Sequence, residues 1–102
     1  MRLYLVCDDD DTEVGLRLAG VEGTRVRSVE EARETILALA EDGGVGVVLV
    51  NRSLMRRLGD FPAGFRAKHT LPVLTEIPDT SGLPAGNSVA RYVREAVGIR
   101  EE

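Results

Sequence analysis

Four consecutive aspartates, Asp8–Asp11, are the residues of this sequence whose type and spacing could do chemistry. They follow the apolar run "RLYLVC" and precede a stretch with helical periodicity. Adjacent carboxylates repel one another, so this position needs compensation. A metal ion, a phosphoryl-transfer site, or solvent together with a helix N-terminus could each supply it. The sequence therefore poses a choice between a catalytic and a structural role for the acidic run.

Phosphoryl transfer of the kind performed by receiver domains would use an acidic pair after the first strand to hold magnesium. Asp8 and Asp9 could supply that pair. The reaction also needs a carboxylate nucleophile at the end of the third strand, and the residue there is Asn51. Thr75 could supply the hydroxyl expected after the fourth strand, but the lysine expected after a fifth strand has no counterpart. Because an amide cannot replace the phosphoacceptor, the sequence argues against phosphotransfer.

Other catalytic and cofactor sites find little support. The sequence has no GxxxxGK[ST] loop and no GxGxxG motif after its first strand. Cys7 and His69 are single residues of their kinds; we expect the first to be a small core residue and the second to lie at the surface. We therefore predict no cofactor, no metal site and no enzymatic activity. We expect Asp8 to Asp10 to face solvent, and Asp11 or Thr12 to cap the first helix.

The elements that position these residues alternate between strand and helix. An apolar strand ends at Cys7, and the first helix follows it as far as Ala19. "GTRVRSV" predicts a weak strand at a sheet edge, where its arginines can point to water. Ser28 and Glu31 form a capping box, and the helix behind them ends at "GG". The helix face that should be buried contains Val29, Ala32, Ile36, Leu39 and Ala40.

The second half of the chain continues the alternation. "VGVVLV" is apolar throughout, which is typical of a central parallel strand. Ser53 is expected to cap a short helix through Leu58, and "GDFPAGF" to interrupt regular structure. "LPVLTEIP" predicts a strand between its two prolines. A last helix should start at Asn87 or Ser88 and carry an apolar stripe of Val89, Tyr92, Val93, Ala96 and Val97.

This order of elements predicts the fold class α/β: an open four-stranded parallel sheet with helices on both faces, like that of flavodoxins and receivers, in strand order 2-1-3-4. The 102 residues suit a single domain over 1–102. A net charge of −4 argues against nucleic acid as a partner. One cysteine and no apolar run of membrane-spanning length predict a cytoplasmic protein that meets a membrane only through a complex.

Five segments together resemble the F subunit, the small central-stalk component of V-type and archaeal A-type rotary ATPases. In order along the chain they are "DDDTEVGLRLAGVEG", "SVEEARETI", "VGVVLVNRSL", "LPVLTEIPDTSG" and "VREAVGI". Within the first segment, the resemblance rests on the acidic turn, Thr12, Gly15 and Leu18–Gly20, while Leu16 stands where the family often has Phe. No single segment is specific, but the five span nearly the whole chain in the family's order.

The resemblance implies a non-catalytic rotor subunit. In the family, the F subunit binds the coiled-coil D subunit, and the two form a shaft inside the ring of A and B subunits, where ATP is made or hydrolysed. The implied partners are therefore the D subunit and the catalytic-head A/B subunits, and the implied location is peripheral to the membrane as part of the complex. With the resemblance set aside, a degenerate receiver-like protein-binding module without phosphotransfer remains the alternative.

A basic segment in the second half of an acidic chain is the candidate partner surface. A solvated face is the ordinary explanation of such charge, and docking to an acidic stretch of the D subunit is the sharper one. Two phenylalanines in a Gly/Pro-containing stretch favour docking, since aromatic and arginine anchors are enriched at interface centres. The candidate interface residues are Arg52, Arg56, Arg57, Phe61, Phe65 and Arg66.

Overall fold

Strands and helices alternate through residues 2–78, the part of the chain that this computed structural model describes. The elements are β1 (Arg2–Cys7), α1 (Asp10–Leu18), β2 (Glu22–Arg25), α2 (Val29–Asp42), β3 (Val45–Asn51), α3 (Arg52–Arg57), α4 (Phe61–Lys68) and β4 (Val73–Ile77). The predicted last helix and its apolar stripe lie outside the described residues. No helix within residues 2–78 is long and apolar enough to cross a membrane.

The strands form one parallel sheet in the order β2-β1-β3-β4, which confirms the predicted fold class and strand order. In the register of the sheet, Leu5 of β1 lies between Gly23 of β2 and Leu49 of β3. The most apolar strand, β3, is therefore central, and the arginine-containing β2 is at an edge. Because parallel strands end at one edge of a sheet, the ends of β1 and β3 lie side by side.

Helices cover both faces of the sheet, as the apolar patterns predict. Side chains alternate along a strand, so Val6 of β1 joins one core cluster and Leu5 the other. The cluster around Val6 also contains Ile36 of α2 and Phe65 of α4. The cluster around Leu5 contains Leu16 of α1. Thus α1 packs on one face of the sheet, and α2, α3 and α4 pack on the other.

The local signals around α2 act as predicted. The Ser28 hydroxyl accepts a hydrogen bond from the Glu31 N–H at 3.0 Å, which satisfies a backbone donor at the helix start. The Glu31 carboxylate in turn accepts from the Arg27 N–H at 2.8 Å. Gly43 ends the helix at φ 82°, a left-handed conformation in which glycine has no side-chain clash.

Two expectations for the stretch after β3 are wrong. Ser53 does not cap the short helix, because α3 begins at Arg52 directly after β3 and its N-cap residue is Asn51. The "GDFPAGF" stretch does not interrupt regular structure, because Phe61–Lys68 form α4. Proline at the first turn of a helix gives up no intrahelical hydrogen bond, so Pro62 fits the start of α4. Burial of Phe65 then anchors this short helix to the sheet.

Candidate functional site

The carboxyl edge of the sheet brings the ends of β1 and β3 into direct contact. The Asn51 side-chain amide donates to Asp8 Oδ1 at 2.9 Å, and the Asp8 backbone N–H donates to Asn51 Oδ1 at 3.3 Å. Asn51 is buried, with 1% of its surface exposed. The position where a phosphoacceptor would be needed thus holds an amide whose hydrogen bonds join the two strand ends.

Arg57 of α3 completes this arrangement. Its Nη1 lies 2.8 Å from Asp8 Oδ2, and the Asp8 side chain is only 16% exposed. The expectation that Asp8 faces solvent is therefore wrong. The reason lies in the chain path: since α3 follows β3 without a loop, it returns over the sheet edge and carries Arg57 to the end of β1. We refer to Asp8, Asn51 and Arg57 as the edge triad.

Asp9 caps α1, which corrects the assignment of that role to Asp11 or Thr12. Its Oδ2 accepts from the Thr12 backbone N–H at 2.9 Å and from the Thr12 hydroxyl at 2.7 Å. Thr12 is fully buried, so the second bond satisfies a hydroxyl that has no access to water. Asp9 is in the extended conformation usual for an N-cap residue, whereas Asp11 lies inside the helix.

The remaining aspartates point elsewhere. Asp10 pairs with Arg25 of β2 at 2.8 Å, and its side chain is 74% exposed. Asp11 is exposed in the first turn of α1, where a negative charge interacts favourably with the helix dipole. The four carboxylates thus diverge instead of sharing one site. Within residues 2–78, no three or more His, Cys, Asp or Glu side chains are grouped so that they could hold a metal ion.

The structure also places the three other candidates for chemistry, Cys7, His69 and Thr75. Cys7 is fully buried, and that burial raises the pKa of its thiol to about 11. A thiol with such a pKa is protonated at neutral pH and is a poor nucleophile. His69 stacks on Phe65 with 4.3 Å between ring centroids, so it is partly covered and not simply a surface residue. Thr75 lies within β4, not after it.

The residues of the predicted partner surface differ in burial: its phenylalanines pack against the core, and its arginines are exposed. Phe65 is 3% exposed and belongs to the core, and Phe61 is half-buried against the same cluster. Both aromatics therefore contribute to the core, and Phe65 is not available as an exposed interface anchor. Arg66 donates to the Leu74 carbonyl at 2.9 Å, and Arg52 pairs with Glu76 at 3.0 Å. Arg56 is exposed on α3.

Sequence reasoning missed an apolar surface on α1. Leu18 is 81% exposed and Val14 is 41% exposed, although both lie in the helix whose other side packs on the sheet. Sequence periodicity could have found them, because Val14 and Leu18 are four residues apart and out of phase with the buried Thr12 and Leu16. A groove of about 480 Å³ runs beside α1 along the edge strand β2.

Comparison with known proteins gives a consistent result. Residues 4–97 match the model of the family described as ATP synthase (F/14-kDa) subunit. The chain is 38% identical to the F subunit of the A-type ATP synthase of Pyrococcus abyssi over 101 residues, which cover 93% of both chains. It is 35% identical over 92 residues to the F subunit of the V-type ATP synthase of Thermus thermophilus, with 90% of this chain and 88% of that protein covered.

Proposed function

This chain belongs to the family described as ATP synthase (F/14-kDa) subunit, and we propose that it is a non-catalytic rotor subunit in the central stalk of an A/V-type ATP synthase or ATPase. In this role it binds the coiled-coil D subunit and helps to couple ATP synthesis or hydrolysis to ion transport. The observation that carries the proposal is the family match over residues 4–97, together with relatives named as F subunits that align over most of both chains.

The chemistry of the described residues supports a role without catalysis. The edge triad joins the ends of β1 and β3 at the carboxyl edge of the sheet, where folds of this class usually bind ligands. Asn51 occupies the end of β3 and offers no carboxylate nucleophile. The family match favours the rotor subunit over a degenerate receiver-like binding module, because such a module would not account for relatives that are themselves ATP synthase subunits.

The same proposal gives the chain its partners and its place in the cell. The D subunit is the direct partner, the catalytic-head A/B subunits are neighbours, and the protein meets the membrane only as part of the complex on its cytoplasmic side. The basic segment is the surface we assign to an acidic stretch of the D subunit. Since Phe65 and Phe61 pack against the core, its exposed arginines carry the interaction, and Arg56 is the clearest of them.

Binding to a purified D-type coiled-coil subunit tests the role. Calorimetry should give a saturable one-to-one complex with the wild-type chain. A wild-type chain that does not bind the coiled coil would contradict the proposed function, whatever surface is involved.

The charge contribution is tested by stopped-flow association of the Arg56→Glu variant at low salt. Opposite charges mainly accelerate encounter, so we expect association to slow by about 3- to 10-fold, with a smaller change in dissociation and a weaker effect at high salt. Arg27→Glu is the matched control, since Arg27 is an exposed arginine outside the basic segment. Equal slowing by both variants would mean that net charge, not this surface, controls association. Phe65→Ala is unsuitable here, because it removes a core side chain.

A further inference from the structure

The outward side of α1 carries two apolar side chains that no other element of residues 2–78 buries. Thr12 and Leu16 point at the sheet and are fully buried. Successive residues of an α-helix are about 100° apart, so Val14 and Leu18 point roughly opposite to Leu16. Leu18 is 81% exposed, the highest fraction among the exposed large apolar side chains of residues 2–78. Val14 and Leu18 lie one turn apart, as apolar contacts on a docking helix do.

Gly15 lies beside this pair and has no packing role of its own. A Cβ built on Gly15 would meet nothing within 4 Å. Glycine inside a helix costs about 1 kcal/mol relative to alanine, so its presence here weakens α1 without a packing gain among residues 2–78. A side chain as small as hydrogen does allow a second backbone to approach the helix closely.

Acidic side chains outnumber basic ones on α1, although Arg17 pairs with Glu13 and Arg25 of β2 pairs with Asp10. Asp11 lies on the same side of the helix as Val14 and Leu18, at i, i+3 and i+7 spacing. Asp10 is also exposed, in the same first turn. The arginines of α3 lie across the sheet, because Leu54 of that helix packs in the opposite core cluster from Leu16. The basic last turn of α3 and the acidic first turn of α1 therefore lie on opposite faces of the sheet.

We propose that the outer face of α1 docks an amphipathic α-helix of another protein, with an apolar seam against Val14, Gly15 and Leu18 and with Lys or Arg opposite Asp11. This surface is independent of the proposed contact between the basic segment and the D subunit. A second copy of this chain is the poorer occupant. In a dimer through this face, each α1 would meet a second copy of the same acidic first turn, and like charges repel.

A designed helical peptide tests the docking. The probe has a Leu/Ala seam flanked by lysines, and its control peptide has glutamate at every lysine position. The full-length chain, labelled with ¹⁵N, is titrated with each peptide and amide shifts are recorded. We expect saturable shifts centred on residues 11–18 with the lysine peptide and at least ~10-fold weaker binding of the glutamate peptide.

Variants separate the apolar and the charge contributions. Leu18→Glu should weaken binding of the lysine peptide at least ~10-fold, since it places a charge in the seam. Leu37→Glu is the matched control, because Leu37 is a 43% exposed leucine on α2. Asp11→Lys should shift the preference toward the glutamate peptide. Circular dichroism checks that each variant is folded.

Several results would overturn the proposal. They are the absence of saturable shifts in α1 at millimolar lysine peptide, equal loss of binding in Leu18→Glu and Leu37→Glu, and a preference between the peptides that Asp11→Lys leaves unchanged. Shifts centred on another element, or dimerisation of the chain through α1 in sedimentation experiments, would also contradict it.

Discussion

At the scale of single residues, the neighbouring aspartates of the acidic run have different roles because each contacts a different part of the fold. Asp8 is held by Asn51 and Arg57, Asp9 caps α1, and Asp10 pairs with Arg25. Partners from other elements and the helix N-terminus therefore relieve the repulsion expected within the run. Substitutions in the run should differ in their cost accordingly.

The first prediction compares Asp9→Ala with Asp11→Ala. Asp9→Ala removes the carboxylate that accepts from the backbone N–H and from the buried hydroxyl of Thr12. We expect it to lower the free energy of unfolding by about 1–3 kcal/mol. Asp11→Ala should change it by less than about 0.5 kcal/mol, because Asp11 is exposed and does not cap the helix. Urea denaturation measures both, and a larger loss for Asp11→Ala would contradict the capping assignment.

The second prediction concerns the Cys7 thiol. Burial raises the pKa of this thiol from 9.0 to about 11. Between pH 9 and pH 11 the thiol therefore keeps its proton in the folded protein and loses it in the unfolded chain. Because the unfolded state then binds fewer protons, stability should fall as the pH rises from about 9 to 11, by about 1–3 kcal/mol in total. Below pH 9 the thiol is protonated in both states, and the stability that the folded protein gains from the protonated thiol is fully present.

The measurement is the pH dependence of urea denaturation for the wild type and for Cys7→Ala. The variant is destabilised at every pH by its lost side chain, but it should lack the additional fall above pH 9 that the thiol causes. Curves that stay parallel from pH 8 to 11 would show that the thiol does not titrate as its burial implies.

At the scale of elements, close packing controls what the edge strand and α1 tolerate. In β2, a Cβ on Gly23 would lie 2.6 Å from Leu5 Cβ and 2.9 Å from the Leu5 carbonyl oxygen. Glycine there lets the edge strand lie close to β1, and the contact with backbone cannot be relieved by a rotamer change. In α1, the space beside Gly15 is open. A methyl group added at Gly23 would therefore clash with β1, whereas one added at Gly15 would not.

The third prediction follows from this contrast. Gly23→Ala should destabilise the protein by about 1–3 kcal/mol, since β1 or β2 must shift. Gly15→Ala should stabilise it by about 0.5–1 kcal/mol, since alanine is the better helix former and meets no neighbour. Thermal denaturation of the two variants should give melting temperatures on either side of the wild-type value. Two losses of similar size would contradict the open space at Gly15.

At the scale of the whole molecule, the edge triad joins the ends of β1 and β3 at the carboxyl edge of the sheet, where folds of this class usually bind ligands. The basic last turn of α3 and the acidic first turn of α1 lie on opposite faces of that sheet. The proposed contact with the D subunit and the proposed helix contact on α1 therefore use different surfaces of the domain.

The fourth prediction is that the isolated chain neither accepts a phosphoryl group nor responds to magnesium. Incubation with acetyl phosphate and Mg²⁺ should leave its intact mass unchanged, because Asn51 is an amide held by Asp8. Millimolar Mg²⁺ should leave the melting temperature nearly unchanged, since a ligand that does not bind the folded state cannot stabilise it. A receiver domain with an intact phosphoacceptor serves as the positive control. A stoichiometric adduct, or a large metal-dependent rise in melting temperature, would overturn the prediction.

The sequence by itself determined the α/β class, the strand order, the buried faces and the family. These properties follow from periodic apolar patterns and from helix caps between residues close in sequence, such as Ser28 and Glu31. It also identified Asn51 as unable to accept a phosphoryl group. Its error on α4 has a local cause, because Gly and Pro in "GDFPAGF" signalled a break that the burial of Phe65 overrides.

Only the tertiary structure decided the partners of the acidic run and the accessibility of the candidate interface. Asp8 meets Asn51 and Arg57 across 43 and 49 positions of sequence, a distance at which no local pattern acts. Likewise, Phe65 is buried because α4 folds back on the sheet. Leu18 is exposed because the opposite side of its helix, with Thr12 and Leu16, packs against the core. Contacts between residues so far apart follow from how the elements pack, and so they become visible only in three dimensions.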